Sequence, residues 1–139
     1  MAVSIPGVQL QYILNHARSA YPEECCGFLI GRSSEPRQVD RVLPAENAAR
    51  SSRNKQYRID PAEFIRADEE ARRSSLDLIG FYHSHPDAPV EPSQTDLENA
   101  LLSYTYLVLS LQNGEPRDVA AWSLSRDKSA FELIELRIL

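Results

Sequence analysis

Two of the chain's three histidines, His83 and His85, stand one residue apart in the stretch FYHSHPDAPVEPSQTD. Side chains on a β-strand alternate between faces, so on extended backbone both imidazoles project from the same side, with Cα atoms roughly 7 Å apart. Seven residues separate His85 from Ser93, and Asp96 follows three positions later, a pattern written H-x-H-x(7)-S-x-x-D. Taken singly, each half has a structural explanation. A His-x-His pair is often incidental on a packed strand, and S-x-x-D is a capping pattern in which Ser93 caps a helix while the acidic residue reaches back to the cap. The two readings are compatible, because a first helical turn held against the end of the histidine strand brings a carboxylate to the zone where both imidazoles converge. Pro86, Pro89 and Pro92 fix φ along the connection and lower the entropy cost of holding these groups together.

Two neutral imidazoles and one carboxylate suit zinc and leave a fourth tetrahedral position for water. Three protein ligands with an open position point to catalysis rather than scaffolding. Zinc lowers the pKa of water to about 7, and a base is then wanted to accept and redeliver the proton. The expectation is one Zn2+ per chain.

The elements that position these residues can be read from periodicity and turn chemistry. PGVQLQYILNHARSAY has a helix-like apolar face opened by Pro6, and CCGFLIG and RQVDRVLPA read as two early strands joined by the turn GRSSEP. Residues 47–56, NAARSSRNKQ, lack periodicity and read as an exposed connector of the kind that often touches substrate beside a site. Tyr57 and Ile59 suggest a short strand. Asp60 and Pro61 are an N-cap and first-turn pair for a helix reaching to about Ser74. LDLIGFYHSH reads as the histidine strand, SQTDLENALLS as a short helix from Ser93, and YLVLSLQ, DVAAWSLS and FELIELRIL as three final strands. Strands interleaved with three helices give one α/β (α+β) domain with a mixed sheet, expected to span residues 1–139.

Composition narrows the function classes. A net charge of -5 and a pI near 5.2 argue against nucleic acid, where clustered Lys and Arg supply most of the affinity. No stretch reaches the roughly 18 apolar residues of a membrane span, and the N-terminus has no basic region before an apolar run, so the expected location is cytoplasmic. Cys25 and Cys26, the only cysteines, are adjacent and cannot readily pair, which fits a reducing compartment and buried structural thiols. His16, in the first helix with no motif around it, reads as structural or surface.

An upstream glutamate followed by H-x-H-x(7)-S-x-x-D resembles the JAMM (MPN+, Mov34) metalloprotease family, and PEECCGFLIG resembles its glutamate-bearing segment. The resemblance runs from the first helix to the final strands. It implies that His83, His85 and Asp96 bind zinc, that Glu24 hydrogen-bonds the activated water as general acid/base, and that Ser93 donates a hydrogen bond to the developing oxyanion. Glu24 is preferred to Glu23 because Glu24-Cys25-Cys26-Gly27 resembles the family spacing E-x-C-G. The implied fold is the JAMM/MPN one, a curved mixed β-sheet flanked by helices. The implied reaction is hydrolysis of the amide bond after the C-terminal Gly-Gly of a ubiquitin-like protein. The compact chain and short 47–56 loop favour a sulfur-carrier protein, whose tail lies extended against a strand edge; the chain itself is expected as monomer or homodimer. Two alternatives stand beside this reading: a non-catalytic interaction module of the same fold, and a zinc hydrolase acting on another peptide or small amide. A zinc deaminase is disfavoured because no P-C-x-x-C follows the histidines.

Overall fold

A computed structural model describes residues 1–139. The elements, in chain order, are β1 Ala2–Ile5, α1 Gly7–Ala20, β2 Cys26–Arg32, β3 Arg37–Ala45, α2 Pro61–Arg73, β4 Asp77–Pro86, α3 Gln94–Asn99, β5 Thr105–Gln112, β6 Glu115–Leu124 and β7 Phe131–Ile138. The strands form one mixed sheet in the order β1-β3-β2-β4-β5-β6-β7, and parallel pairing of β1 with β7 closes it on itself. The β4–β5 and β1–β3 pairs are also parallel, and the remaining pairs are antiparallel.

Local chemistry accounts for most boundaries. The Asp60 carboxylate accepts from the Ala62 amide at 2.8 Å and Pro61 fills the first turn of α2. The β5–β6 hairpin turns on Asn113 and Gly114, both with positive φ (52° and 83°), which matches the handed twist of the flanking strands. Two expectations change, and one element was not anticipated. Ala2–Ile5 is a strand, a short apolar run that carries no period of its own and is stabilised by two parallel neighbours. Tyr57 and Ile59 lie in irregular chain, where their side chains pack against the core beside α2. The third helix stops at Asn99, because the chain must turn back into β5; Leu101 donates its amide to the Tyr106 hydroxyl at 2.8 Å and Ser103 takes φ 73°.

Each face of the sheet buries a helix. Leu10, Ile13 and Ala17 of α1, at helical spacing, pack with Ile79, Tyr82, Leu107 and Leu109. Ala67 and Ala71 of α2 pack on the other face with Phe28, Ile30, Phe81 and Tyr106. Alternation along β4 thus sends Tyr82 toward α1 and Phe81 toward α2, and His83 and His85 follow Phe81.

Where β4 meets β5 the backbones approach so closely that a Cβ on Gly80 would lie 2.0 Å from the Thr105 carbonyl oxygen. Gly80→Ala is therefore expected to destabilise the fold by on the order of 3 kcal/mol, the upper range for overpacking. A urea titration reads this as a lower midpoint at unchanged slope; an unchanged midpoint would mean that the β4–β5 contact yields easily.

Candidate metal centre and active site

The site is built on the β2–β4 pairing. Cys26 sits opposite His83, and between the two histidines Ser84 faces the other way and locks the start of β2. The Ser84 hydroxyl accepts from the Cys25 amide at 2.8 Å, and the Ser84 amide donates to the Cys25 carbonyl at 3.1 Å. This register carries Glu24 to the histidine face, where it is buried to 4 % exposure while Glu23 stays exposed. From the other side α3 delivers Asp96. The Ser93 hydroxyl accepts from the Asp96 amide at 3.1 Å, and Asp96 Oδ2 accepts from the Ser93 amide at 2.8 Å, a complete capping box.

One ligand atom from each of Glu24, His83, His85 and Asp96 lies within 4.8 Å of the others, and all four residues are buried. The inner triangle is tighter. His83 Nε2 is 3.0 Å from His85 Nε2 and 3.1 Å from Asp96 Oδ2, and His85 Nε2 is 3.0 Å from the same oxygen. The Pro89 carbonyl can only accept, so His85 Nδ1, 2.6 Å away, carries a hydrogen. Neutral His85 then turns a bare Nε2 lone pair toward Asp96 and His83, an arrangement that requires a positive charge at its centre. A tetrahedral ion with bonds of about 2.0–2.2 Å holds its ligand atoms about 3.3 Å apart, close to the spacings seen. The donor set therefore fits a divalent cation. The His85 ring is backed, as metal-ligating histidines commonly are, by a carbonyl that accepts from the far nitrogen. His83 lacks such an acceptor, its Nδ1 being buried without a partner, and its ring is held instead by stacking on Tyr57 at 4.6 Å between centroids.

Titration behaviour follows from this crowding. Burial lowers the His83 pKa, outweighing Asp96, and keeps that ring neutral. Burial also opposes charge on His85, but the Asp96 carboxylate, the Pro89 carbonyl and Glu24 together raise its pKa. Burial likewise pushes Asp96 up, yet hydrogen bonds with the two imidazoles hold it well below the ordinary carboxylate range. These neighbours favour the protonated form of His85, which would place a positive charge at the centre. Burial pushes Glu24 up to about 8, with His85 pulling down and Asp96 pushing up, and its Oε1 has no hydrogen-bond partner. A cation among the neighbouring ligands would favour the ionised form.

A cavity of about 500 Å³ opens beside Asp96, floored by Tyr57, Phe64, Phe81 and Tyr106 and rimmed by Arg50 and Arg58. The five residues singled out in the sequence thus stand together, Ser93 at the cap beside Asp96 with no acceptor for its hydroxyl hydrogen. Ser84, Tyr57 and the Pro89 carbonyl escaped sequence reading. Ser84 carried no signal beyond its place between the histidines, and Pro89 contributes a main-chain atom. His16 is structural, its Nδ1 lying 2.7 Å from the Tyr82 hydroxyl. Cys25 and Cys26 are buried, and burial raises both thiols, Cys25 to about 11.

A family model described as prokaryotic homologues of the JAB domain matches residues 8–125. A desampylase of Haloferax volcanii is 40 % identical over 103 residues, covering 70 % of this chain and 73 % of that protein. A probable TtuB-protein conjugate cleaving protease of Thermus thermophilus is 31 % identical, covering 78 % of this chain and 70 % of its own length. Among solved structures, the solution structure of a Desulfitobacterium hafniense protein superposes with a TM-score of 0.86 at 30 % identity, covering 99 % of this chain and 92 % of that one. No helix of the chain is long and apolar enough to cross a membrane.

If the triangle binds a divalent cation, zinc at a hundred times its Kd should stabilise the fold by about 2.7 kcal/mol. His85→Ala and Asp96→Ala should abolish that gain. The check is thermal melting with and without zinc; equal gains in wild type and both variants would locate the binding elsewhere.

Proposed function

Because the chain belongs to the family of prokaryotic homologues of the JAB domain, we propose that it is a zinc metallopeptidase cleaving the amide bond after the C-terminal Gly-Gly of a ubiquitin-like protein. The observation that carries this reading is the convergence of three lone-pair donors with a buried glutamate at one point. Relatives named for cleaving protein conjugates supply the substrate class. A sulfur-carrier protein is the preferred member of that class, since the 47–58 segment is bonded tightly to the body of the domain and is short for gripping a large partner.

In this mechanism His83, His85 and Asp96 would hold zinc. Bound there, it would supply Lewis acidity for the scissile carbonyl and for the attacking water. Glu24 takes one proton from the attacking water and returns it to the leaving nitrogen as the C–N bond breaks, while the water oxygen becomes part of the new C-terminal carboxylate. Burial raises the Glu24 pKa and a neighbouring cation would lower it, and these opposed effects suit a carboxylate that accepts a proton and then gives it up. The Ser93 hydroxyl accepts the cap bond with a lone pair, so its hydrogen is free to donate to the oxygen on which negative charge develops. The substrate tail lies extended in the cavity beside Asp96, because the closed sheet leaves no free edge strand of the kind expected from the sequence.

Glu24→Gln should retain zinc and lower kcat about 10²–10⁴-fold, the usual worth of general acid/base catalysis. Ser93→Ala should lower kcat by about two to three orders and cost about 1 kcal/mol of stability for the lost cap. A lower Tm with kcat intact would leave Ser93 as a cap alone. The reaction itself is tested by mass spectrometry of ubiquitin-like proteins with C-terminal extensions after incubation with zinc-loaded protein. Loss of the mass beyond Gly-Gly is expected, and intact extensions throughout would overturn the reading.

A further inference from the structure

Residues 47–58 connect β3 to α2, and they also hold the main chain of Glu24 on both sides. Glu24 lies just before β2, where no strand neighbour receives its backbone groups. Its amide donates to the Arg53 carbonyl at 2.7 Å, and its carbonyl accepts from Asn47 Nδ2 at 3.1 Å. Asn47 makes three further bonds. Nδ2 also donates to the Gln56 carbonyl at 3.1 Å, and Oδ1 accepts from the amides of Ala49 at 3.1 Å and Arg58 at 3.2 Å. Arg53 is itself tied back, its Nε donating to the Ala49 carbonyl at 2.7 Å. One path therefore runs from Asn47 directly to the Glu24 carbonyl, and another runs through Ala49 and Arg53 to the Glu24 amide.

We infer that Asn47 is a positioning residue for Glu24, organising the 47–58 segment into a clamp that fixes the glutamate backbone against the histidine strand. The inference rests on the reading of Glu24 as the general acid/base. Only an amide side chain meets the requirement, with two N–H donors for two carbonyls and one oxygen for two amides. An aspartate would turn oxygen toward the carbonyls of Glu24 and Gln56, and an alanine would leave four main-chain groups unpaired. A base must lie within hydrogen-bond reach of its proton, and a shift of about 1 Å costs on the order of 10²-fold in rate.

The test compares Asn47→Ala, Asn47→Asp and Glu24→Gln with Leu10→Ala, a core substitution in α1 that lowers stability away from the segment. The assay uses zinc-loaded protein and a ubiquitin-like protein whose terminal Gly-Gly is joined to aminomethylcoumarin as an amide. Both Asn47 variants should lose about 10²-fold in kcat with KM and zinc Kd within about threefold, and Glu24 amide exchange should quicken about tenfold with the Val108 amide unchanged. Leu10→Ala should keep its kcat at a matched loss in Tm. Unchanged exchange at the Glu24 amide, or a kcat loss no greater than that of Leu10→Ala, overturns the inference while leaving Glu24's role intact. Full turnover in Glu24→Gln instead overturns the role of the glutamate, whatever the exchange data show. Should both Asn47 variants fail to fold, Arg53→Ala carries the test, since it removes the 2.7 Å bond from Nε to the Ala49 carbonyl on the path to the Glu24 amide and keeps the Arg53 carbonyl itself. Faster Glu24 exchange with a proportionate fall in kcat then supports the clamp, and any other pairing of the two overturns it.

Discussion

The register between β2 and β4 is the constraint on which the site depends. A strand has a side-chain period of two, so a slip of one residue would turn His83 and His85 into the core beneath α1 and bring Tyr82 out. Two features oppose the slip. Gly27 lies opposite Tyr82, and a Cβ there would lie 2.3 Å from the tyrosine ring, so the ring occupies space that only glycine leaves free. Ser84 then bonds both main-chain groups of Cys25, which leaves Glu24 one residue further along, facing the imidazoles. The Tyr82 hydroxyl is in turn seated against His16 of α1, so the core packing and the polar site share one alignment.

Gathering lone pairs at a 3.0–3.1 Å spacing in a buried region is unfavourable unless a positive charge sits among them. The fold tolerates the arrangement because each member is restrained independently. The Pro89 carbonyl orients His85, the Ser93 amide and helix cap orient Asp96, and the Tyr57 ring covers His83. A proton on His85 and a divalent cation would compete for the same position, so binding of a metal there would weaken as acidity rises.

Much of this was legible in the sequence, for physical reasons that differ by residue. His83, His85, Ser93 and Asp96 were readable because strand and helix periods turn spacing into direction, and because a capping box fixes the first turn of a helix. Glu24 was different: nothing local distinguishes it from Glu23, and only the resemblance of Glu24-Cys25-Cys26-Gly27 to a family spacing selected it. Closure of the sheet was not readable, since the run AVSI is too short to show a period and its parallel partners are distant in sequence. Residues 47–56 read as an exposed connector, and 50–55 are exposed, but the order within the segment was not legible for a related reason. The bonds that order them are made by Asn47 and main-chain groups, which hydrophobic patterning does not register.

That segment joins parts of the site which look separate when each is viewed alone. Its Arg50, Ser51, Tyr57 and Arg58 line the cavity beside Asp96, its Tyr57 stacks on His83, and its Arg53 carbonyl receives the Glu24 amide. Cavity wall and glutamate backbone are therefore parts of one hydrogen-bonded unit, which the stacked Tyr57 ring extends to His83. In such a unit a displacement of the wall is shared by the groups bonded to it, because Asn47 has no spare donor or acceptor to absorb the change. The geometry of the groove and the position of the buried carboxylate are thus set together, and the cavity's shape is bound up with the alignment of the chemistry beside it.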